Sequence, residues 1–130
     1  MISGEEARAW IEAYGEAWVS QDPARVVRLF TQDTIYRERR FHPGLHGIEQ
    51  VRDYWQLIVH ELQRDVGFEV LSVAVDGDSA YFNWHAHFTW RPINGIMELD
   101  AISRVRFTEE SRDGRRLATE FEEWIDHREV

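Results

Sequence analysis

A chain of 130 residues, 43% hydrophobic and 30% charged, carries apolar material for one core and has no comfortable room for two. Six Trp within a 13% aromatic share exclude a disordered tail, and a net charge of −9 opposes nucleic acid and anionic membranes, since basic residues form only short groups such as Arg37, Arg39 and Arg40. The absence of cysteine excludes disulfides, thiolate metal sites and cysteine nucleophiles, and suits a reducing compartment. Neither a basic nor an apolar stretch follows Met1, and no apolar run approaches membrane-spanning length, so a cytoplasmic protein is expected.

Ser3 and Glu6 stand at capping-box spacing, and Ala7, Trp10, Ile11, Tyr14, Ala17 and Trp18 recur at helical intervals, which predicts an amphipathic helix over Gly4 to Val19. Asp22 and Pro23 supply a cap and a first-turn proline for a short second helix with Val26, Val27 and Phe30 as its stripe. Thr34 to Glu38 reads as a brief strand. Pro43, Gly44 and Gly47 then interrupt the chain before a third helix whose apolar face is Ile48, Val51, Trp55, Ile58 and Leu62. Beyond it the period falls to two. Strands are expected at about Gly67 to Val75, Ser79 to Arg91, Ile96 to Thr108 and Arg115 to His127, separated by Asp76-Gly77, Asn94-Gly95 and Asp113-Gly114, which predicts an antiparallel meander. Each element has one apolar face to bury, so the sheet must curl and the three helices must fill its concave side, an α+β arrangement.

The Trp18 to Asp22-Pro23 to Leu29-Phe30 entry, the Gly47-Ile48 to Tyr54-Trp55 helix, the Val75-Asp76-Gly77-Asp78 turn and the closing Glu123-Trp124-Ile125-Asp126 follow one another over nearly the whole chain. In that order they resemble SnoaL-like members of the nuclear transport factor 2-like superfamily. The resemblance implies one cone-shaped domain over residues 1–130 enclosing a pocket, and no cofactor. It does not imply one reaction, because ketosteroid isomerases, scytalone dehydratase, limonene epoxide hydrolase and polyketide cyclases share the fold.

A two-residue Asn94-Gly95 turn would pair Ile93 with Ile96 and set His85 opposite Arg104. One sheet face would then hold Phe82, Trp84, Ala86, Phe88 and Trp90 with Met97, Leu99, Ala101, Val105 and Phe107. The other would hold Tyr81, Asn83, His85 and His87 with Glu98, Asp100, Ile102 and Arg104. Similarity to limonene epoxide hydrolase-like members carries their pocket arginine, acid and last-strand acid onto His85, His87 and Glu123. Only one of the three is a carboxylate here, which speaks against epoxide hydrolysis, and Asp100 beside the histidines offers a second acid at a different position. The Asp113-Gly114 turn leaves two registers. A two-residue loop puts Glu123 in a row with Arg104 and His85, the arrangement the resemblance favours; a bulge moves Glu123 to the apolar face beside Ser103 and Ala86.

The candidate proton-handling groups are therefore His85, His87, Asp100 and Glu123. The two histidines share a strand face, but neither His42 nor His46 is an evident third ligand, so no metal is expected. Glu123 lies between Phe121 and Ile125, where burial would raise its pKa; its alternative is a salt bridge to Arg104. Tyr14, Trp18, Tyr36, Phe41, Tyr54, Trp55, Ile102 and Phe121 are the expected pocket wall. If Trp84, Phe88, Trp90 and Leu99 form a convex strip, a sheet-to-sheet homodimer would cover it. Two functions stay open: an acid/base enzyme of the isomerase, cyclase, dehydratase or hydrolase type acting on a small apolar molecule, and a non-catalytic ligand-binding or dimerisation module.

Overall fold

The computed structural model describes residues 1–130. Ser3 caps the first helix reciprocally: its hydroxyl accepts the Glu6 N–H at 3.1 Å while the Glu6 carboxylate accepts the Ser3 N–H at 3.0 Å. Helix α1 spans Gly4–Val19 and buries Ala7, Trp10, Ile11, Tyr14, Ala17 and Trp18, as their spacing predicts. Asp22 caps α2 (Pro23–Val26) through the Ala24 N–H at 2.9 Å, and a 3₁₀ turn over Val27–Leu29 follows. Phe30, expected on that helix, instead opens strand β1 (Phe30–Arg37).

After the short β2 (Leu45–His46), helix α3 covers Ile48–Tyr54 and continues as a π-helix over Trp55–Glu61. The wider turn alters the expected apolar stripe: Val51, Trp55 and Val59, each four apart, are buried. Strands β3 (Gln63–Asp76), β4 (Ser79–Trp90), β5 (Gly95–Arg112) and β6 (Arg115–Glu129) complete the chain, most of them longer than the alternation suggested.

The six strands form one mixed sheet in the order β2-β1-β6-β5-β4-β3, antiparallel except where β1 runs parallel to β6. Two registers differ from expectation. Trp90 pairs with Gly95, so Arg91 to Asn94 make a four-residue turn; the shift is even, the two faces keep their membership, and His85 meets Asp100 instead of Arg104. At the last hairpin Arg112 pairs with Arg115 across a two-residue turn, but irregularities on either side of Phe107 change the register by one residue, so Ser103 meets Glu123 and Arg104 meets Glu122.

The sheet curls around α1 and α3. Trp10 is central, stacked on Tyr14 at 5.5 Å and edge-on to Phe30 and Phe107, and its indole N–H donates to the Leu29 carbonyl at 3.0 Å. Phe82, Trp84, Ala86, Phe88, Ala101 and Val105 are buried on the inner face, so the strip of Trp84, Phe88, Trp90 and Leu99 lies on the concave side under the helices and is not the convex strip that a homodimer would have covered. No helix is long and apolar enough to cross a membrane.

Candidate functional site

Alternation along β6 turns Phe121, Glu123, Ile125 and His127 inward. Tyr36 of β1 pairs with Phe121 and stacks on it, rings parallel within 6° at 4.5 Å. The paired register ends at Arg37 and Glu122, and its continuation by one residue sets Glu38 beside Glu123. Two carboxylates thereby reach one cavity from neighbouring parallel segments.

That cavity has a volume of about 420 Å³ and opens between the helices and the β5–β6 end of the sheet. Tyr14, Trp18, Tyr36, Tyr54 and Trp55 line it, as expected, together with Ile58, Val59, Phe88, Trp90, Met97, Leu99 and Ile125; Glu38, Arg39, Gln63, Glu123 and His127 are its polar groups. Most of the wall's polar atoms are satisfied. The Tyr14 and Tyr36 hydroxyls bond each other at 2.8 Å, and the Trp18 indole donates to the side-chain amide oxygen Oε1 of Gln63 at 2.7 Å. The Trp55 indole N–H is buried without a partner, and the Glu123 carboxyl likewise has no hydrogen-bonded partner.

Glu123 is only 4% exposed. Burial pushes its pKa well above the usual carboxylate range, and the Glu38 charge raises it further. Burial also raises Glu38, against which a hydrogen bond from Tyr54 and the charge of Arg39 act. No cation balances Glu123 directly. Such a pair holds a proton at a pH where isolated carboxyls have lost it, so one member can accept a proton while the other donates.

The adjacent residue does different work. Glu122 points to the other side of β6, where Arg104 donates to it at 3.1 Å and Arg40 approaches at 2.7 Å with its guanidinium 4.9 Å from the Trp124 ring. Arg40 thus ties the segment carrying Glu38 and Arg39 to the strand carrying Glu123. The expected Arg104–Glu123 salt bridge is replaced by Arg104–Glu122.

With this geometry in view, the family profile described as SnoaL-like domain matches residues 11–121. The chain belongs to the SnoaL-like domain family. Solved structures agree on the fold. The nuclear transport factor 2-like superfamily protein from Salmonella enterica subsp. enterica serovar Typhimurium str. LT2 superposes with a TM-score of 0.77 at 14% identity, covering 93% of this chain and 89% of that one. A hexachlorocyclohexane dehydrochlorinase (LinA) of type 2 gives 0.76 at 11% identity over 95% and 88% of the two chains. A computationally designed 17-OHP binder gives 0.75 at 13% identity over 92% and 95%. Among curated proteins nothing matches.

This SnoaL-like chain does not bring the four expected proton-handling groups together. Glu123 reaches the cavity, whereas His85, His87 and Asp100 lie on the outer face, because the bulges near Phe107 reverse the inside-outside parity of β6 relative to β5. His85 Nε2 sits 3.2 Å from Asp100 Oδ1, both half or more exposed, in a shallow groove of about 730 Å³ shared with Glu69, His87, Glu98, Asp126 and Arg128. No cluster of three or more His, Cys, Asp or Glu is spaced to hold a metal ion. Three expected wall residues also lie elsewhere: Phe41 is fully exposed on its loop, Ile102 faces outward, and Phe121 is buried behind Tyr36. Sequence reading gave Glu38 no role. Its signal was its place two residues after Tyr36, on the same face of a strand already expected to include it.

Proposed function

We propose that this protein is a cofactor-independent enzyme that moves a proton on a small, largely apolar organic molecule held in the aromatic cavity, as an isomerase, cyclase, dehydratase or related eliminating enzyme does. The observation that carries the reading is the Glu38–Glu123 pair, Glu123 buried and Glu38 half-buried, at the wall of a largely apolar, aromatic-rich chamber. A base in its ionised form accepts a proton from a substrate C–H next to an electron-withdrawing group. Its protonated neighbour returns one at oxygen or at another carbon. A drug-sized apolar molecule suits a chamber of about 420 Å³.

The dehydrochlorinase among the structural neighbours is compatible with proton-abstraction chemistry on this scaffold, and the designed binder with the alternative, binding without turnover. The experiment that separates them incubates the protein in D₂O with a panel of cyclic ketones and enones and follows deuterium incorporation by NMR. Exchange that drops about 10²- to 10⁴-fold in Glu123→Gln supports the enzyme. Ligands that bind without exchange identify a binding module.

The proposal includes a cytoplasmic setting, for which the cysteine-free composition is suited. It also includes a homodimer through the outer sheet face, where Tyr81, Ile102 and Trp124 are exposed.

A further inference from the structure

Two carboxyls, Glu38 and Glu123, and two basic groups, Arg39 and His127, line the cavity, and neither basic group is bonded to Glu123. Glu123 is nine-tenths buried without a bonded partner, Glu38 stands beside it, and Arg39, the nearest cation, is exposed at the rim and acts on Glu38. Around them the chamber is walled by aromatic rings, chiefly Trp18, Tyr54, Trp55 and Phe88. Aromatic faces stabilise an organic cation through their quadrupoles without needing its N–H groups, and do so best where water is excluded. A net charge of −9 adds a field that draws cations toward the molecule.

We infer that the ligand of this cavity carries a positively charged nitrogen, a tertiary or quaternary ammonium, seated among the rings against the Glu38–Glu123 pair. The inference rests on the reading of this cavity as the ligand site, and is independent of whether the ligand is turned over. A cation entering beside Glu123 favours its ionised form, so binding at neutral pH expels a proton to solvent. The other ionisable groups facing the pair are Tyr14 from α1, Tyr36 and Arg39 from β1 and the segment after it, Tyr54 from α3 and His127 from β6.

The test uses benzyltrimethylammonium, whose charge is independent of pH, and its neutral carbon isostere neopentylbenzene. Binding to the intact protein is followed by quenching of Trp fluorescence, and calorimetry in two buffers of different ionisation enthalpy counts protons. The expected result is that the ammonium binds about tenfold or more tightly than the isostere, with affinity rising as pH rises from 5 to 8 and net proton release near neutrality. Glu123→Gln should remove the proton release and most of the preference, and Glu38→Gln should reduce the preference in a chain that keeps Glu123. Tighter binding of neopentylbenzene than of the ammonium overturns the inference and leaves the cavity reading intact. Binding of neither probe overturns both.

Discussion

Glu123 is held where a carboxylate is costly, and that cost has a definite sign in pH. Below its ordinary value of 4.5, both folded and unfolded chains hold the proton and nothing is lost. As pH rises above that point the unfolded chain releases a proton that the folded chain retains, so the contribution of Glu123 to stability falls until its raised folded pKa is passed. Glu123→Gln, isosteric and never charged, should therefore be more stable than the parent at pH 8, by about 1 kcal/mol, with the gain vanishing near pH 4. Thermal melts at the two pH values measure it; an equal gain at both would show that burial of the charge is not the cause. His85 and His87 provide the converse case. They face away from the chamber, so replacing both with Gln should leave ligand affinity and any turnover within about twofold. A large loss would move the chemistry to the outer groove.

At the scale of elements, the cavity depends on how β1 and the segment after it are fixed to β6. Tyr36 on Phe121 is the inner fastening, and Arg40 on Glu122 and Trp124 is the outer one. Phe121 also stacks on Tyr14 at 5.2 Å and is fully buried, so Phe121→Ala should cost about 3–5 kcal/mol in denaturant unfolding. Arg40→Ala should cost less, about 1 kcal/mol, because Arg104 still partners Glu122. Its larger effect should be on ligand binding, weakened severalfold as Glu38 and Arg39 lose their anchor; unchanged affinity would show that the segment holds its place without Arg40. Gly15 suits the close approach of α1 to β3, because an added Cβ would overlap the Phe68 ring and force that side chain to shift.

At the scale of the whole molecule, the curled sheet buries one face and offers the other. Tyr81, Ile102 and Trp124 stand on the outer face of three neighbouring strands, amid Arg104, Arg106 and Glu120. A homodimer through this face predicts that Ile102→Glu, on the outer face and away from the Arg40 contacts, shifts sedimentation from dimer to monomer without changing the cavity. A parent chain that sediments as a monomer removes that part of the proposal.

What the sequence determined by itself was local or periodic. The Ser3–Glu6 box and the spacing from Ala7 to Trp18 specify α1 and its buried face through neighbours within one helical turn, and alternation along β4 and β5 sorts Phe82, Trp84 and Ala86 from Asn83, His85 and His87. The aromatic wall residues Tyr14, Trp18 and Trp55 were legible for the same reason, each lying on an apolar helical stripe, and Tyr36 and Tyr54 from their place in the neighbouring strand and helix. What only tertiary structure decided was relative register. A period of two records which residues of one strand share a face, but not which face of the next strand they join; bulges near Phe107 made that choice for Glu123, and a four-residue turn after Trp90 gave His85 its Asp100. The pairing of Glu38 with Glu123 joins residues 85 apart along the chain through a parallel contact, which no turn sequence encodes. Strand curvature and long-range packing brought those two carboxyls into one chamber, and left His85 and His87 outside it.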